Sequence, residues 1–298
     1  MLLITGANGF VGSALCRVAL ARGWQVAGLC RAGANSELLP VNARRVEGDF
    51  TNEEQMRALL LTLRPDAIIH SAAIVSSGRP DMESSLRVNV QGTAALLRAA
   101  RECGVRRWLQ VSSMSAHAAN KSAYGASKFL ADEEVRASDM DWTILRPSLV
   151  YGSQKRGIFH RMAQMIGKLP VVPVLGGGHE QVRPVHADDL ASAFLGALSA
   201  PESIRRTYQL GGPEHWTLRD LLLQMRKQMG RPARLVPVPM PICRLGAIAA
   251  ELILDDPPVT TDNLEGIAKA QSIDTLPAER DLAFAPRPFA QGFAEYLR

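Results

Sequence analysis

Along the first half of the chain, short aliphatic and β-branched runs alternate with longer stretches whose apolar residues recur at helical spacing. The runs at 2–5, 25–29, 43–46, 67–69, 107–111 and 142–145 are predicted strands. The stretches at 11–22, 53–63, 82–103 and 123–136 each carry one apolar face, which predicts helices packed against a sheet. Such alternation is the rhythm of a parallel sheet with helices on both faces, so the expected fold is α/β and doubly wound, with a dinucleotide-binding domain at 1–152. After Gly152 the texture changes. Pro170, Pro173 and Gly176-Gly177-Gly178 mark turns, and shorter helical patterns follow at 187–198, 218–229 and 244–254. Residues 153–298 are expected to form mainly a smaller substrate lobe, with a candidate strand at 207–210 that would return to the main sheet.

Composition keeps this picture among ordinary globular proteins: 298 residues, 47% hydrophobic and 21% charged, suffice for a large core and an appended lobe. No apolar run reaches the roughly 18 to 20 residues that span a bilayer. Met1 leads straight into Leu2-Leu3-Ile4-Thr5-Gly6, without a basic leader. The expectation is a cytoplasmic protein with no membrane insertion. Cys16, Cys30, Cys103 and Cys243 lack the short spacings of metal sites and are expected to be core thiols, with no metal bound. Lys and Arg number 34 against 29 Asp and Glu, a surplus spread along the chain. That balance suits a phosphorylated small molecule and argues against nucleic acid as a partner.

Candidate chemistry begins at Thr5-Gly6-Ala7-Asn8-Gly9-Phe10-Val11-Gly12, which leaves the first strand and opens the first helix. In that context each glycine has a task. Gly6 permits the tight exit from the strand, Gly9 lets backbone N–H groups approach a pyrophosphate, and Gly12 lets the helix lie close to the sheet. A site selective for NAD(H) places Asp or Glu at the end of the second strand to take the ribose 2′-hydroxyl. Here the positions read Leu29-Cys30-Arg31, with no acid before Glu37. NADP(H) is therefore the expected cofactor, Arg31 meeting its 2′-phosphate, and NAD(H) is the alternative.

Tyr124-Gly125-Ala126-Ser127-Lys128 sets a phenol and an amine on one face of a predicted helix. A neighbouring ammonium, helped by an oxidised nicotinamide, is expected to draw Tyr124 below its usual pKa of about 10, into the range of a useful acid or base. Upstream, Val111-Ser112-Ser113 ends a strand, where the Ser113 hydroxyl is placed to orient a substrate oxygen. Ser113, Tyr124 and Lys128 are the candidate catalytic residues.

Taken together, these segments resemble the short-chain dehydrogenase/reductase family in its extended, epimerase/dehydratase-like branch. The resemblance adds Gly48-Asp49-Phe50, His70-Ser71-Ala72-Ala73, Asn89-Val90-Gln91-Gly92-Thr93 and Leu145-Arg146-Pro147-Ser148-Leu149-Val150-Tyr151-Gly152, all in family order. It implies that Asp49 and Phe50 sit at the adenine and that Ser71, Ala72 and Ala73 pass beneath the cofactor. Pro147 and Val150 would flank the nicotinamide, and Val111 would lie beside it. Asn89 is expected to tie strands together. The reaction implied is hydride transfer between a nicotinamide and a carbonyl or hydroxyl carbon of a small molecule. Many relatives form homodimers through the helix that carries the Tyr/Lys pair.

The chain also departs from well-known members. Relatives that dehydrate nucleotide sugars carry an Asp-Glu pair after the Ser or Thr, where this chain has Met114-Ser115. Nucleotide-sugar epimerases carry an arginine four residues before the His of a late VHxxD segment. Val182 holds that place here and Arg183 follows it, a shift that turns a side chain to the opposite face of an extended segment. The late stretch through Val185-His186-Ala187-Asp188-Asp189 is most similar to an atypical subgroup that includes the NADPH-binding accessory subunit of respiratory complex I. The alternatives to an oxidoreductase are thus a nucleotide-sugar epimerase, a non-catalytic NADPH-binding assembly or structural factor and an NADP(H)-sensing regulator that has lost catalysis. His186 and Asp188 are expected as a packed strand end and a helix cap, and His117 as a surface-loop residue.

Overall fold

The computed structural model describes residues 1–35, 37–75, 82–117, 122–254, 260–261, 264 and 272–298. The chain begins with β1 (Leu2–Thr5), α1 (Phe10–Ala21), β2 (Val26–Cys30), β3 (Arg44–Glu47), α2 (Glu53–Leu63) and β4 (Ala67–His70). A continuous helical run follows: α3 (Met82–Ser85), a π-helical stretch (Leu86–Gln91) and α4 (Gly92–Glu102). Next come β5 (Arg107–Val111), α5 (Ala123–Ala137), β6 (Asp141–Pro147), β7 (Val150–Tyr151), α6 (Gly157–Lys168), β8 (Val171–Leu175), β9 (Gln181–Val182), β10 (Val185–His186) and α7 (Ala187–Ser199). The chain closes with β11 (Arg206–Leu210), β12 (Trp216–Thr217), α8 (Leu218–Gln228), β13 (Arg234–Val238), α9 (Met240–Ile253), α10 (Leu276–Leu282) and α11 (Phe289–Leu297).

The central sheet is parallel, in the order β11-β6-β5-β4-β1-β2-β3. Alternation along each strand feeds two cores. In β1, Leu2 and Ile4 face a layer shared with α1 and α7, while Leu3 faces a layer shared with α2, α4 and α5. Each fully buried aliphatic side chain contributes about 1.5–3 kcal/mol. Strand order reverses between β1 and β4, and at such a switch the crevice outside the carboxyl ends of the strands receives ligand in doubly wound sheets.

Elements far along the sequence join this first domain. β11 pairs with β6 in register, Arg206 opposite Thr143 through Leu210 opposite Pro147, and α7 buries Leu190, Phe194 and Leu195 against the α1 side. The smaller lobe has its own aromatic and aliphatic core, built from Tyr151, Phe159, Val172, Leu221, Phe289 and Phe293. Two-residue pairings in this lobe, such as β12 with β9, are too short to leave a periodic trace in the sequence. Among the described residues, no helix is long and apolar enough to cross a membrane. Cys16, Cys30 and Cys243 are buried and Cys103 is half-buried, all as free thiols.

Candidate active site

The glycine turn is shaped by contacts that exclude side chains. Gly6 adopts φ +63°, and a Cβ there would meet the Ala72 Cα at 2.8 Å, so Ser71 and Ala72 pass directly against the turn. At Gly12 a Cβ would fall 2.1 Å from the Gly6 carbonyl oxygen. Gly9 is the N-cap of α1, its N–H donating to the Gly6 carbonyl at 2.9 Å, and nothing but that carbonyl stands near its open side. The open side of Gly9 lies at the N-terminal end of α1, where the first-turn N–H groups of a helix have no partner within it, so these residues fit the pyrophosphate of the dinucleotide that the sequence implies. Asn8 donates to the Asn35 carbonyl at 2.8 Å, tying the turn to the loop that carries Arg31, whose side chain is exposed.

Beneath the turn lies a buried chain of hydrogen bonds. Thr5 Oγ1 accepts from the Ser71 and Ala72 N–H groups, both at 3.1 Å, and lies 2.8 Å from His70 Nδ1. His70 Nε2 is 3.1 Å from Thr93 Oγ1, which donates to the Asn89 carbonyl at 2.6 Å. Those partners assign the Nε2–H tautomer. Burial, with the Lys128 charge adding to it, lowers the His70 pKa to about 3. Asn89 lies in the π-helical stretch, accepts from Ile74 N–H at 2.7 Å and donates to Ser127 Oγ at 2.9 Å. It joins the segment after β4 to α5, in keeping with a structural tie.

Strand ends position the hydroxyl group. Ser112 N–H donates to the Leu145 carbonyl at 2.9 Å and Met114 N–H to the Pro147 carbonyl at 3.0 Å, so the end of β5 is zipped to β6 with Ser113 between. Ser113 lies near enough to Tyr124 for its hydroxyl to act on the Tyr124 pKa, and Ser113 Oγ accepts from Ser115 N–H at 3.1 Å. Ser122 caps α5 by accepting from Gly125 N–H, which fixes the turn that presents Tyr124. Lys128, one turn later, is 3% exposed and donates to the Val111 carbonyl at 2.6 Å.

The protein's own groups push the Tyr124 pKa up to about 12: burial dominates, the Ser113 hydroxyl works partly against it, and Asp132 adds to it. Burial likewise brings Lys128 down to about 8, with Asp132 acting upward. Sequence reasoning missed this acid. Asp132 Oδ2 accepts from Ser112 Oγ at 2.7 Å and from Arg146 Nε and Nη2 at 3.0 and 2.8 Å. The i, i+4 spacing from Lys128 is visible in the sequence, but that spacing also describes an exposed helix pair, and burial is what distinguishes the two.

Other expected site residues divide by where their side chains point. Asp49 is exposed and its Oδ1 accepts from Thr51, whereas Phe50 is buried, its ring edge-on to His70 and beneath Gly92. Ala73, Phe10, Val11 and Val150 are half-buried, and Pro147 and Val111 are buried at the strand ends. Phe10 stands 3.5 Å from the place a Cβ on Gly152 would take, and Gln154 donates to Ser13 Oγ at 2.8 Å, so the smaller lobe closes on the first turn of α1.

Arg183 is committed internally. Its guanidinium donates to the Gly212 and Ile273 carbonyls, both at 2.8 Å, and to Thr275 Oγ1 at 3.3 Å. The cap of α7 differs from expectation. His186 Nδ1 accepts from Asp188 N–H at 3.2 Å and is the N-cap, while the Asp188 carboxylate reaches across to pair with Arg17 of α1. His117 is a half-buried loop residue.

A doubly wound parallel sheet with a glycine turn at the switch point and polar side chains around one crevice defines a dinucleotide-binding Rossmann protein. Residues 2–211 match the NAD dependent epimerase/dehydratase family, and the chain belongs to that family, within the extended short-chain dehydrogenases/reductases. Ceramide reductase of Caulobacter vibrioides is 27% identical over 94% of this chain and 87% of its own length. The mitochondrial NADH dehydrogenase [ubiquinone] 1 alpha subcomplex subunit 9 of Arabidopsis thaliana is 30% identical, over 61% of this chain; the match spans only 46% of that relative. Among solved structures, UDP-glucose 4-epimerase of Thermotoga maritima with UDP-glucose superposes with a TM-score of 0.81 at 22% identity, over 100% of this chain and 98% of that one.

Proposed function

We propose that the protein is an NADP(H)-dependent reductase of a small-molecule carbonyl, with Ser113, Tyr124 and Lys128 as its catalytic residues. The observation that carries this reading is the approach of Ser113, at the end of β5, to Tyr124 in the first turn of α5, with Lys128 buried one helical turn away. When bound, the nicotinamide supplies the hydride and, once oxidised, a positive ring. A phenol with a pKa of about 12 keeps its proton at neutral pH, so Tyr124 stands ready to protonate the oxygen of a carbonyl under reduction. Ser113 donates to that oxygen and fixes its direction. Lys128 stabilises the phenolate left behind and holds the nicotinamide ribose. Gly9 and the first turn of α1 hold the pyrophosphate, and Arg31 takes the 2′-phosphate in the absence of an acid at the end of β2.

Similarity to a ceramide reductase supports a carbonyl carried on an apolar compound. The internal engagement of Arg183 leaves this arginine unsuited to clamp a sugar-nucleotide diphosphate, which disfavours epimerisation. A non-catalytic NADPH-binding role is the second reading, supported by the similarity to a complex I subunit. The test is NADPH oxidation against long-chain ketones, aldehydes, quinones and keto-sugars, by the protein and by Tyr124→Phe. Turnover abolished in the variant, with NADPH affinity unchanged, is the expected result. NADPH bound tightly but never oxidised by any carbonyl would replace the reductase with the binding role.

A further inference from the structure

Asp132 is wholly buried on α5, one turn beyond Lys128. Its two oxygens are treated very differently. Oδ2 accepts from Ser112 and from two nitrogens of Arg146, whereas Oδ1 is buried with no hydrogen-bond partner among the described residues. Lys128 Nζ has three donors, and among the described residues only the Val111 carbonyl receives one. A half-satisfied buried carboxylate and a half-satisfied buried ammonium therefore share one helix face, where i and i+4 side chains meet.

We propose that Asp132 is a positioning residue whose buried carboxylate, one helical turn from Lys128, keeps that lysine in its ammonium form, with Arg146 and Ser112 holding the carboxylate in place. Burial alone favours neutral amine, because a charge removed from water loses its hydration. A carboxylate nearby restores the balance toward ammonium. Among the described residues, the charged and titratable groups around Lys128 are Tyr124 and Asp132 on its own helix, His70 on β4 and Arg146 on β6 through Asp132. Buried His70 is neutral at working pH and adds no charge, Tyr124 is a phenol, and Arg146 opposes Lys128 while anchoring Asp132. The balance at Lys128 thus turns on Asp132. Its importance rests on the catalytic reading above, in which a charged Lys128 is required, but its test does not.

The experiment is a pH titration of lysine side-chain NMR signals in the full chain without cofactor, Lys128 being assigned by its loss in Lys128→Met. Lys128 is expected to titrate near about 8. Asp132→Asn should move that midpoint down by about one unit or more, roughly a tenfold loss of ammonium at a given pH, and Asp132→Glu should largely restore it. Arg146→Met should move it down as well, by a smaller amount, because burial raises the Asp132 pKa and Arg146 is one of the groups that keep this carboxylate ionised. This second variant decides the matter if Asp132→Asn does not fold. A midpoint unmoved or raised in the folded variants would overturn the proposal and leave Asp132 a brace between α5 and β6. No turnover is needed, so failure here is distinct from failure of the reductase reading.

Discussion

His70 shows how a single side chain couples the fold to pH. It is read from the sequence only as part of a motif, yet its ring links Thr5 under the glycine turn to Thr93 on α4. With its pKa at about 3 in the fold and about 6.5 unfolded, the unfolded chain binds more protons between those values. Stability contributed by neutral His70 is thus present above about pH 6.5 and is lost as the pH falls toward 3, by an amount on the order of 5 kcal/mol in the limit. His70→Leu should flatten that part of the acid limb in urea denaturation followed from pH 7 to 4; an unchanged limb would show the ring to be uninvolved. At Arg31 the expectation concerns selectivity. Arg31→Ala should weaken NADPH about 10- to 100-fold while leaving NADH nearly unchanged, as read by fluorescence titration.

At the scale of elements, α1 depends on close approach and has little margin. Gly12→Ala places a methyl 2.1 Å from the Gly6 carbonyl and should cost about 1–3 kcal/mol together with much of the dinucleotide affinity. Gly246→Ala on α9 meets nothing within 4 Å and should be neutral or slightly stabilising, since alanine suits a helix better than glycine. Melting temperatures of the two variants check the contrast. The helix predicted at 82–103 is continuous, but its π-helical stretch was not legible, because it accompanies Asn89 reaching the chain after β4 and Ser127 on α5. Boundaries of α2 follow directly from the sequence: Asn52 accepts from Gln55 N–H at the start, and Glu53 and Glu54 lie in the first turn.

Across the whole molecule, the two halves of the chain are interleaved. β11 covers an edge of β6, α7 covers a sheet face and is fastened to α1 by Arg17 with Asp188, and Gln154 with Ser13 fastens the smaller lobe to α1. A fragment ending at Gly152 should therefore fail to unfold cooperatively, since it would expose the β6 edge and the surface that Leu190, Phe194 and Leu195 bury. Circular dichroism during urea denaturation of that fragment gives the test, and a sharp two-state transition would count against it.

Local pattern determined the strands and helices of the first domain, the glycine turn and the Tyr124–Lys128 spacing, because each depends on residues a few positions apart and on backbone sterics. Only the tertiary structure decided that Asp132 lies beside Lys128 in a water-poor interior, that Arg183 spends its donors on the protein's own carbonyls, and that burial raises the Tyr124 pKa. Burial and pairing are set by contacts between residues distant along the chain, and the free energy of a charge depends on that surrounding medium far more than on its sequence neighbours.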